Sequence, residues 1–382
     1  MSIPRTVGAG LAAVLLAACG SVPTAAVRSP AAATTTSPSA SASASSSLGN
    51  PSPSPTQAPP PSPRLVIQDF NRSQVRLARL DATDVGMVQG LYDGIVNDRV
   101  IALNGLALMA LSRDGKVVKL GQLAASPDWY GAGTVILDPQ QSRWLYSIRD
   151  DSSTAHIHLG TPTSDTVIAN LPSPDGNAYY QTFSWNPSGI YMLKEPVGLG
   201  GAGPFLDYHF PIVRFDLSTN GVTDISPQCA AYGVLDDGTL ICGRTATAGA
   251  IEVRPPSGQS HLIQVASGSG STGTAYIRVA VSPDNKRLIV GRNGSKDPVI
   301  NYQMAVANLS SSSAQAFGVL DYLPDAWLPD GRVVAEHICV IADWGGGPCN
   351  AGLDGTYFFS ADGATHSLFF KLVGGAAVVG YV

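Results

Sequence analysis

The feature that most restricts this chain is a pair of hairpins that recurs along it. "AVSPDNKRLIVGR" (280–292), "SWNPSGIYMLK" (184–194), "AWLPDGRVVAEH" (326–337), "GVLDDGTLICGR" (233–244) and "VILDPQQSRWLYSIR" (135–149) each read as strand, tight polar turn, strand. Pro, Asp, Asn or Gly supplies the turn dihedrals, and apolar alternation flanks the turn. A second hairpin follows each of them, as in "LSRDGKVVKLG" (111–121), "FDLSTNGVTDI" (215–225) and "FSADGATHSLFF" (359–370). The spacing is roughly 45 to 55 residues, and two hairpins per period give four strands.

A repeating four-stranded unit of this length is the blade of a β-propeller, so the fold class expected is all-β. Complete repeats start near Gly86, Gly131, Tyr180, Ala230, Tyr276 and Asp325. The C-terminal "GAAVVGYV" reads as one more innermost strand, and residues 64–81 read as two strands ahead of the first repeat. Together they make a composite blade in which both chain termini close the ring, giving seven blades, with six or eight as alternatives. No segment has sustained 3.6-residue amphipathicity, so helices are expected to be nearly absent. The first hairpins resemble the TolB-like, WD-repeat-like propeller repeat, strand, Ser-Pro-Asp-Gly, strand. Ser282, Pro283 and Asp284 match it with Asn285 in the glycine position, and Pro329, Asp330 and Gly331 match it in another copy. The resemblance spans most of residues 85–370 and implies the fold rather than any one activity.

The first 18 residues read as a cleaved signal peptide. Arg5 precedes a short apolar run that closes in Leu16, Ala17, Ala18 and Cys19. That ending resembles the bacterial lipobox, which implies cleavage before Cys19, a diacylglyceryl group on its thiol, acylation of the new amino terminus (palmitate) and a membrane-anchored place on the outer side of the cell envelope. Residues 19–64 then form the lipidated Cys and an Ala/Ser/Thr/Pro-rich linker, too poor in apolar side chains to offset its ordering entropy. The propeller domain is assigned to residues 65–382. All 28 carboxylates and 20 of the 23 Lys and Arg lie beyond residue 64, a formal charge of 20 − 28 = −8, which argues against nucleic acid as a partner. The remaining cysteines fall into two close pairs, Cys229 with Cys242 and Cys339 with Cys349. Disulfides suit an exported chain, and spacings of 13 and 10 lack the Cys-x2-4-Cys pattern of zinc sites.

Two series of side chains recur once per repeat. Second strands end at or beside Asn104, Arg149, Lys194, Arg244, Arg292 and His337, placing cations at one rim. Innermost strands start at Tyr130, Tyr180, Tyr232, Tyr276 and Tyr322, with Tyr179 adjoining Tyr180. Cations and aromatic faces together suit a glycan or an anionic polymer. The alternatives are that the tyrosines pack between blades and that Arg149, Arg244 and Arg292 pair with Asp150, Asp151, Glu195 or Glu336. Two long second-to-third connections, 195–210 and 339–350, rise on the same face, the second around Trp344.

No Gly-x-Ser-x-Gly elbow occurs, and no catalytic domain follows the repeats. His156 and His158 share a strand face, but no third metal ligand is evident. "SADGATH" (360–366) resembles a sialidase Asp-box, but one position is deleted and the Trp is absent, so it is read as a plain hairpin turn. No cofactor or metal is expected. The reading favoured is a non-catalytic binding or scaffold protein for a glycan, peptide or protein partner. The alternatives are an extracellular glycoside hydrolase or lyase, which needs two converging carboxylates, and a structural spacer.

Overall fold

A computed structural model describes residues 62–382 except 128–134, 151–153, 174–177, 197–210, 227–228, 244–249, 266–275, 294–301, 338–350 and 372–375. Residues 60–382 form one compact unit. Regular structure among the described residues is strand throughout, apart from a 3-10 turn at Ala351–Leu353.

Among the described residues the strands assemble into seven four-stranded antiparallel units. Unit I contains β1 (Leu65–Asp69), β2 (Gln74–Ala78) and β3 (Asp84–Gln89), with β28 (Ala376–Tyr381) added inside β1. Unit II is β4 (Leu91–Val96), β5 (Arg99–Asn104), β6 (Ala107–Ser112) and β7 (Val117–Gln122). Unit III is β8 (Val135–Leu137), β9 (Trp144–Arg149), β10 (Ala155–Thr161) and β11 (Ser164–Leu171). Unit IV is β12 (Ala178–Asn186), β13 (Gly189–Pro196), β14 (Ile212–Asp216) and β15 (Gly221–Ser226). Unit V is β16 (Ala230–Val234), β17 (Leu240–Gly243), β18 (Ala250–Arg254) and β19 (His261–Val265). Unit VI is β20 (Tyr276–Val281), β21 (Arg287–Asn293), β22 (Tyr302–Asn308) and β23 (Ser313–Leu320). Unit VII is β24 (Tyr322–Trp327), β25 (Val333–His337), β26 (Gly355–Phe359) and β27 (His366–Lys371).

Second strands are covered on both faces: β17 and β25 are buried at every position, and β9 at its first four. A strand reads this way when a neighbouring sheet covers each of its faces. Outermost strands such as β7 and β11 are mostly exposed.

Seven apolar clusters join the units in cyclic order. Val75 and Leu77 meet Val100 and Leu111 between I and II, and Leu108 and Leu123 meet Trp144 and Tyr146 between II and III. Ile157 meets Met192 and Phe215 between III and IV, and Ile212 meets Leu240 between IV and V. Ile251 and Ile263 meet Leu288 and Val290 between V and VI, and Met304 and Phe317 meet Trp327 and Tyr357 between VI and VII. Leu328 and Phe358 then meet Leu65, Ile67 and Val378, which brings VII back to I and closes the ring.

The closing strand is the one the sequence designates. β28 pairs antiparallel with β1 from Leu65↔Tyr381 to Asp69↔Ala376, and Arg64 and Val382 exchange backbone hydrogen bonds of 2.8 and 2.9 Å. One boundary differs from expectation. The first repeat starts at Leu91 rather than near Gly86, because residues 84–89 pair with β2 as the outer strand of unit I. Gly90 makes the turn out of it: its φ is +133°, and a Cβ there would strike the Leu103 carbonyl, so an L side chain is excluded twice over.

The Ser-Pro-Asp signature has a physical function in the turns. Ser282 Oγ donates to Asp284 Oδ1 (2.6 Å) and accepts from Arg287 N–H (2.9 Å), and Ser360 repeats this with Asp362 and Thr365. These hydrogen bonds favour the ionised form and hold the Asp284 and Asp362 carboxyls below the usual carboxylate range. Asn285 and Gly331 occupy equivalent left-handed positions, with φ of 54° and 88°, which is why Asn replaces Gly there without harm. In the same way "SADGATH" forms the hairpin turn between β26 and β27.

Two details matter later. Trp144 is fully buried between glycines of two units: a Cβ at Gly121 of unit II would fall on its six-membered ring, and one at Gly160 of unit III on Nε1. And β19 pairs in parallel with β23, fusing the outer edges of units V and VI into an eight-stranded sheet.

Candidate functional site

Second-to-third and fourth-to-next connections emerge on one face of the ring, here termed the upper face. The ladder register unites the two side-chain series there. Tyr180 stands opposite Lys194, Tyr276 opposite Arg292, and Tyr322 opposite His337. Sequence spacing presents tyrosines and cations as separate rings, whereas pairing makes them cross-strand partners at the open end of the inner hairpin.

Their environments differ. At the seam of units III and IV the Arg149 guanidinium lies over the Tyr179 ring, 5.1 Å from its centroid, and Arg149, Tyr179 and Lys194 are all partly exposed. Such a contact is an electrostatic attraction between the guanidinium and the ring face. Tyr180 is 8% exposed and packs in the apolar cluster between III and IV, as the packing alternative expects. Tyr232 is partly buried against the cluster between V and VI.

Unit VII turns its pair inward. Tyr322 is 4% and His337 3% exposed, their rings meet edge-on at 5.1 Å, and His337 Nδ1 lies 2.9 Å from Asp354 Oδ1. Burial, reinforced by Tyr357, pushes the Tyr322 phenol up to about 12, so it stays neutral. His337 therefore belongs to the interior of the unit and not to an exposed cationic rim. A buried ring with a carboxylate partner satisfies its own polarity within the fold.

The disulfide Cys229–Cys242 is present, with Cα atoms 4.9 Å apart. It ties the residue before β16 to the end of β17 on this same face. Cys19, Tyr130, Arg244, Cys339, Trp344 and Cys349 lie outside the described residues, as do the side chains of Tyr276 and Arg292. Most of both enlarged loops, 197–210 and 338–350, also lies outside them.

Sequence reasoning missed a charged cluster between units VI and VII. Arg278 Nη1 donates to Asp325 Oδ1 and, at 3.0 Å, to Glu336 Oε2. Glu336 thus pairs with Arg278. The carboxylate side chains are 2% and 5% exposed, and Asp325 Oδ2 has no hydrogen-bond partner among the described residues. Burial pushes both carboxyls above the usual carboxylate range, against the pull of Arg278. Arg278 and Asp325 are 47 residues apart, one repeat, which is the signal that was available. The two carboxylates converge, yet they converge on a guanidinium. A glycosidase pair has to flank a bound sugar.

The histidines of β10 are claimed separately. His156 lies within 3.2 Å of Asp150 and 2.7 Å of Asn170, while His158 lies 2.9 Å from Asp165 and stacks on Tyr146. Tyr146 and Asp165 both accept Ala124 N–H, so this network ties unit II to unit III. Among the described residues no group of three or more His, Cys, Asp or Glu could hold a metal.

Two cavities adjoin the inner hairpins. One of about 150 Å³ lies among the inner strands of units II to IV, lined by Asp93, Val135, Ser184 and Trp185. The other, about 440 Å³, opens on the upper face between units I and II, lined by Ser73, Gln89, Leu91, Leu103, Asn104 and Ser126.

No protein-family model matches the chain, and no curated protein matches it. Solved structures do. An oligogalacturonate lyase in complex with manganese is 13% identical, covering 80% of this chain and 84% of its own, with a TM-score of 0.48. A protein described as putative TolB from Agrobacterium tumefaciens is 13% identical over 82% and 90%, with a TM-score of 0.36. TolB from Acinetobacter baumannii is 15% identical over 77% and 75%, with a TM-score of 0.38. In fold the chain is a β-propeller. That conclusion rests on the cyclic order of its own units, and it leaves the propeller's ligand to be argued from its own residues.

Proposed function

We propose that the protein is an exported, membrane-tethered propeller whose upper face binds an envelope glycan, peptide or protein partner and performs no covalent chemistry on it. The observation that carries this is the Arg149 guanidinium held over the Tyr179 ring, both partly exposed, at a seam between units. Such a group offers charge-assisted hydrogen bonds and a stacking plane to a carboxylate-bearing polymer or peptide. The buried Arg278–Asp325–Glu336 cluster supports binding over hydrolysis, because its carboxylates are engaged by the guanidinium. The Cys229–Cys242 bridge supports an oxidising, extracytoplasmic location. The lipobox-like Leu16–Cys19 supports a lipid anchor.

Full-length protein carrying Arg149→Ala and Lys194→Ala should lose roughly tenfold or more in affinity for polygalacturonate in low-salt titration, the loss of about 1.4 kcal/mol or more. Equal binding by wild type and variant, or release of unsaturated or reducing ends from the polymer, overturns the reading. Labelling with an alkyne analogue of palmitate should mark the wild type and not Cys19→Ala. Label on both removes the anchor from the proposal.

A further inference from the structure

The geometry points to a second, chemically different subsite: the 440 Å³ cavity between units I and II binds an uncharged saccharide. Four upper-face connections build it. Ser73 comes from the β1–β2 turn, Gln89 from the end of β3, Asn104 from the end of β5 at its turn into β6, and Ser126 from the segment after β7. Leu91 and Leu103, directly opposed in the ladder, form its apolar wall.

The cavity is a built feature. Gly90 passes so close to the Leu103 carbonyl that no side chain fits, and its N–H donates to the Ser73 carbonyl at 2.7 Å, fixing one lip. Beside it Gln68, 1% exposed, accepts from Tyr92 N–H and donates to the Gln74 carbonyl, binding unit I to unit II. Across the opening Gly105 has a φ of +58°, and a Cβ placed on it would meet nothing within 4 Å. One glycine is demanded by contact; the other leaves space.

The lining selects the ligand class. Among the described residues no charged side chain lines the cavity, so an anion or a cation gains no counter-charge there. The polar groups are two primary amides and two hydroxyls, each able to donate and to accept. The Gln89 and Asn104 amides are exposed and make no hydrogen bond within the described residues. A sugar presents the same mixture of donors and acceptors, with C–H faces to lie against Leu91 and Leu103. The volume falls within the range of about 300–1,000 Å³ usual for small-molecule sites.

This site is independent of the Arg149 patch, and the experiment separates them. Full-length protein is titrated with maltose, cellobiose and N,N′-diacetylchitobiose, and with digalacturonate as the charged counterpart, by calorimetry and saturation-transfer NMR. At least one neutral disaccharide should bind. Asn104→Ala and Gln89→Ala should each weaken it about tenfold without changing the melting temperature, since both side chains are exposed. Ser126→Trp should abolish binding by filling the cavity, and Arg149→Ala should leave it unchanged. No neutral disaccharide binding at millimolar concentration, binding indifferent to Asn104→Ala and Ser126→Trp, or preference for digalacturonate each overturns the subsite. A Ser126→Trp chain that fails to fold leaves the Asn104→Ala and Gln89→Ala results to decide.

Discussion

Trp144 offers a quantitative test of the packing between units II and III. Its indole is fully buried and lies between Gly121 and Gly160, and its Nε1 has no hydrogen-bond partner among the described residues. An added methyl at Gly160 falls on that nitrogen, so Gly160→Ala must displace a rigid ring in a closed interface, an overpacking cost of about 1–3 kcal/mol. Trp144→Phe opens a void costing a few kcal/mol, but it also removes an unsatisfied buried donor worth about 1–3 kcal/mol, for a net loss of about 1–2 kcal/mol. In the double variant the phenyl ring vacates the space the new methyl needs. The pair should therefore cost about 1–2 kcal/mol less than the sum of the singles, within the coupling of about 0.5–3 kcal/mol seen for touching residues. Urea unfolding followed by far-UV circular dichroism, with the disulfide intact, measures all four corners of the cycle. Additivity within about 0.5 kcal/mol, or a Gly160→Ala variant as stable as wild type, would refute the reasoning.

Three further outcomes are expected. Reducing the Cys229–Cys242 bridge, which closes a loop of 13 residues, should cost about 3 kcal/mol, read as a lower denaturation midpoint with dithiothreitol; equal midpoints would contradict it. Burial raises the Asp325 and Glu336 carboxyls, Asp325 to about 8, so the pair keeps a proton in the folded state that the unfolded chain has released. Their stabilisation is full below the ordinary carboxylate range and is lost as pH rises towards 8. Wild-type melting temperature should thus fall across that window and Asp325→Asn should flatten the fall, whereas parallel profiles would dismiss the proton. Val378→Asp places a charge in the closing strand at a position 3% exposed and should cost more than about 3 kcal/mol, while Leu368→Asp, 45% exposed on an outer strand, should change little. Similar midpoints for the two would mean that the terminal strand is not needed for closure.

The fold was legible because its signals are local and repeated. Ser282, Asp284 and Asn285 fix a turn by hydrogen bonds that any reader of the chain can anticipate, and the leftover strands at the two ends had to find each other. The boundary near Gly86 was misplaced because β3 and β4 are separated by one residue, Gly90, leaving no loop to read. The site was less legible. Both rim series were visible, yet alternation could not say that Tyr322 and His337 turn inward while Arg149 and Lys194 stay partly exposed, since that depends on what the adjacent unit presents. The Arg278–Asp325 pair lay one period apart and carried no motif. The neutral cavity is built from serines, amides and glycines scattered over four connections, residue types that in a sequence look like ordinary turn material.

The parallel contact between β19 and β23 gives the circumference unequal chemistry. Outermost strands ordinarily leave a row of unmatched amides and carbonyls, the template by which another polypeptide can be added as an extra strand. At units V and VI that template is partly consumed: Gln264 N–H already donates to Ser312 across the gap, and His261 reaches the Leu309 carbonyl. Lateral recruitment of a neighbour, whether for assembly or by misfolding, is thereby blocked along that arc and directed to the other outer edges, such as β7 and β11.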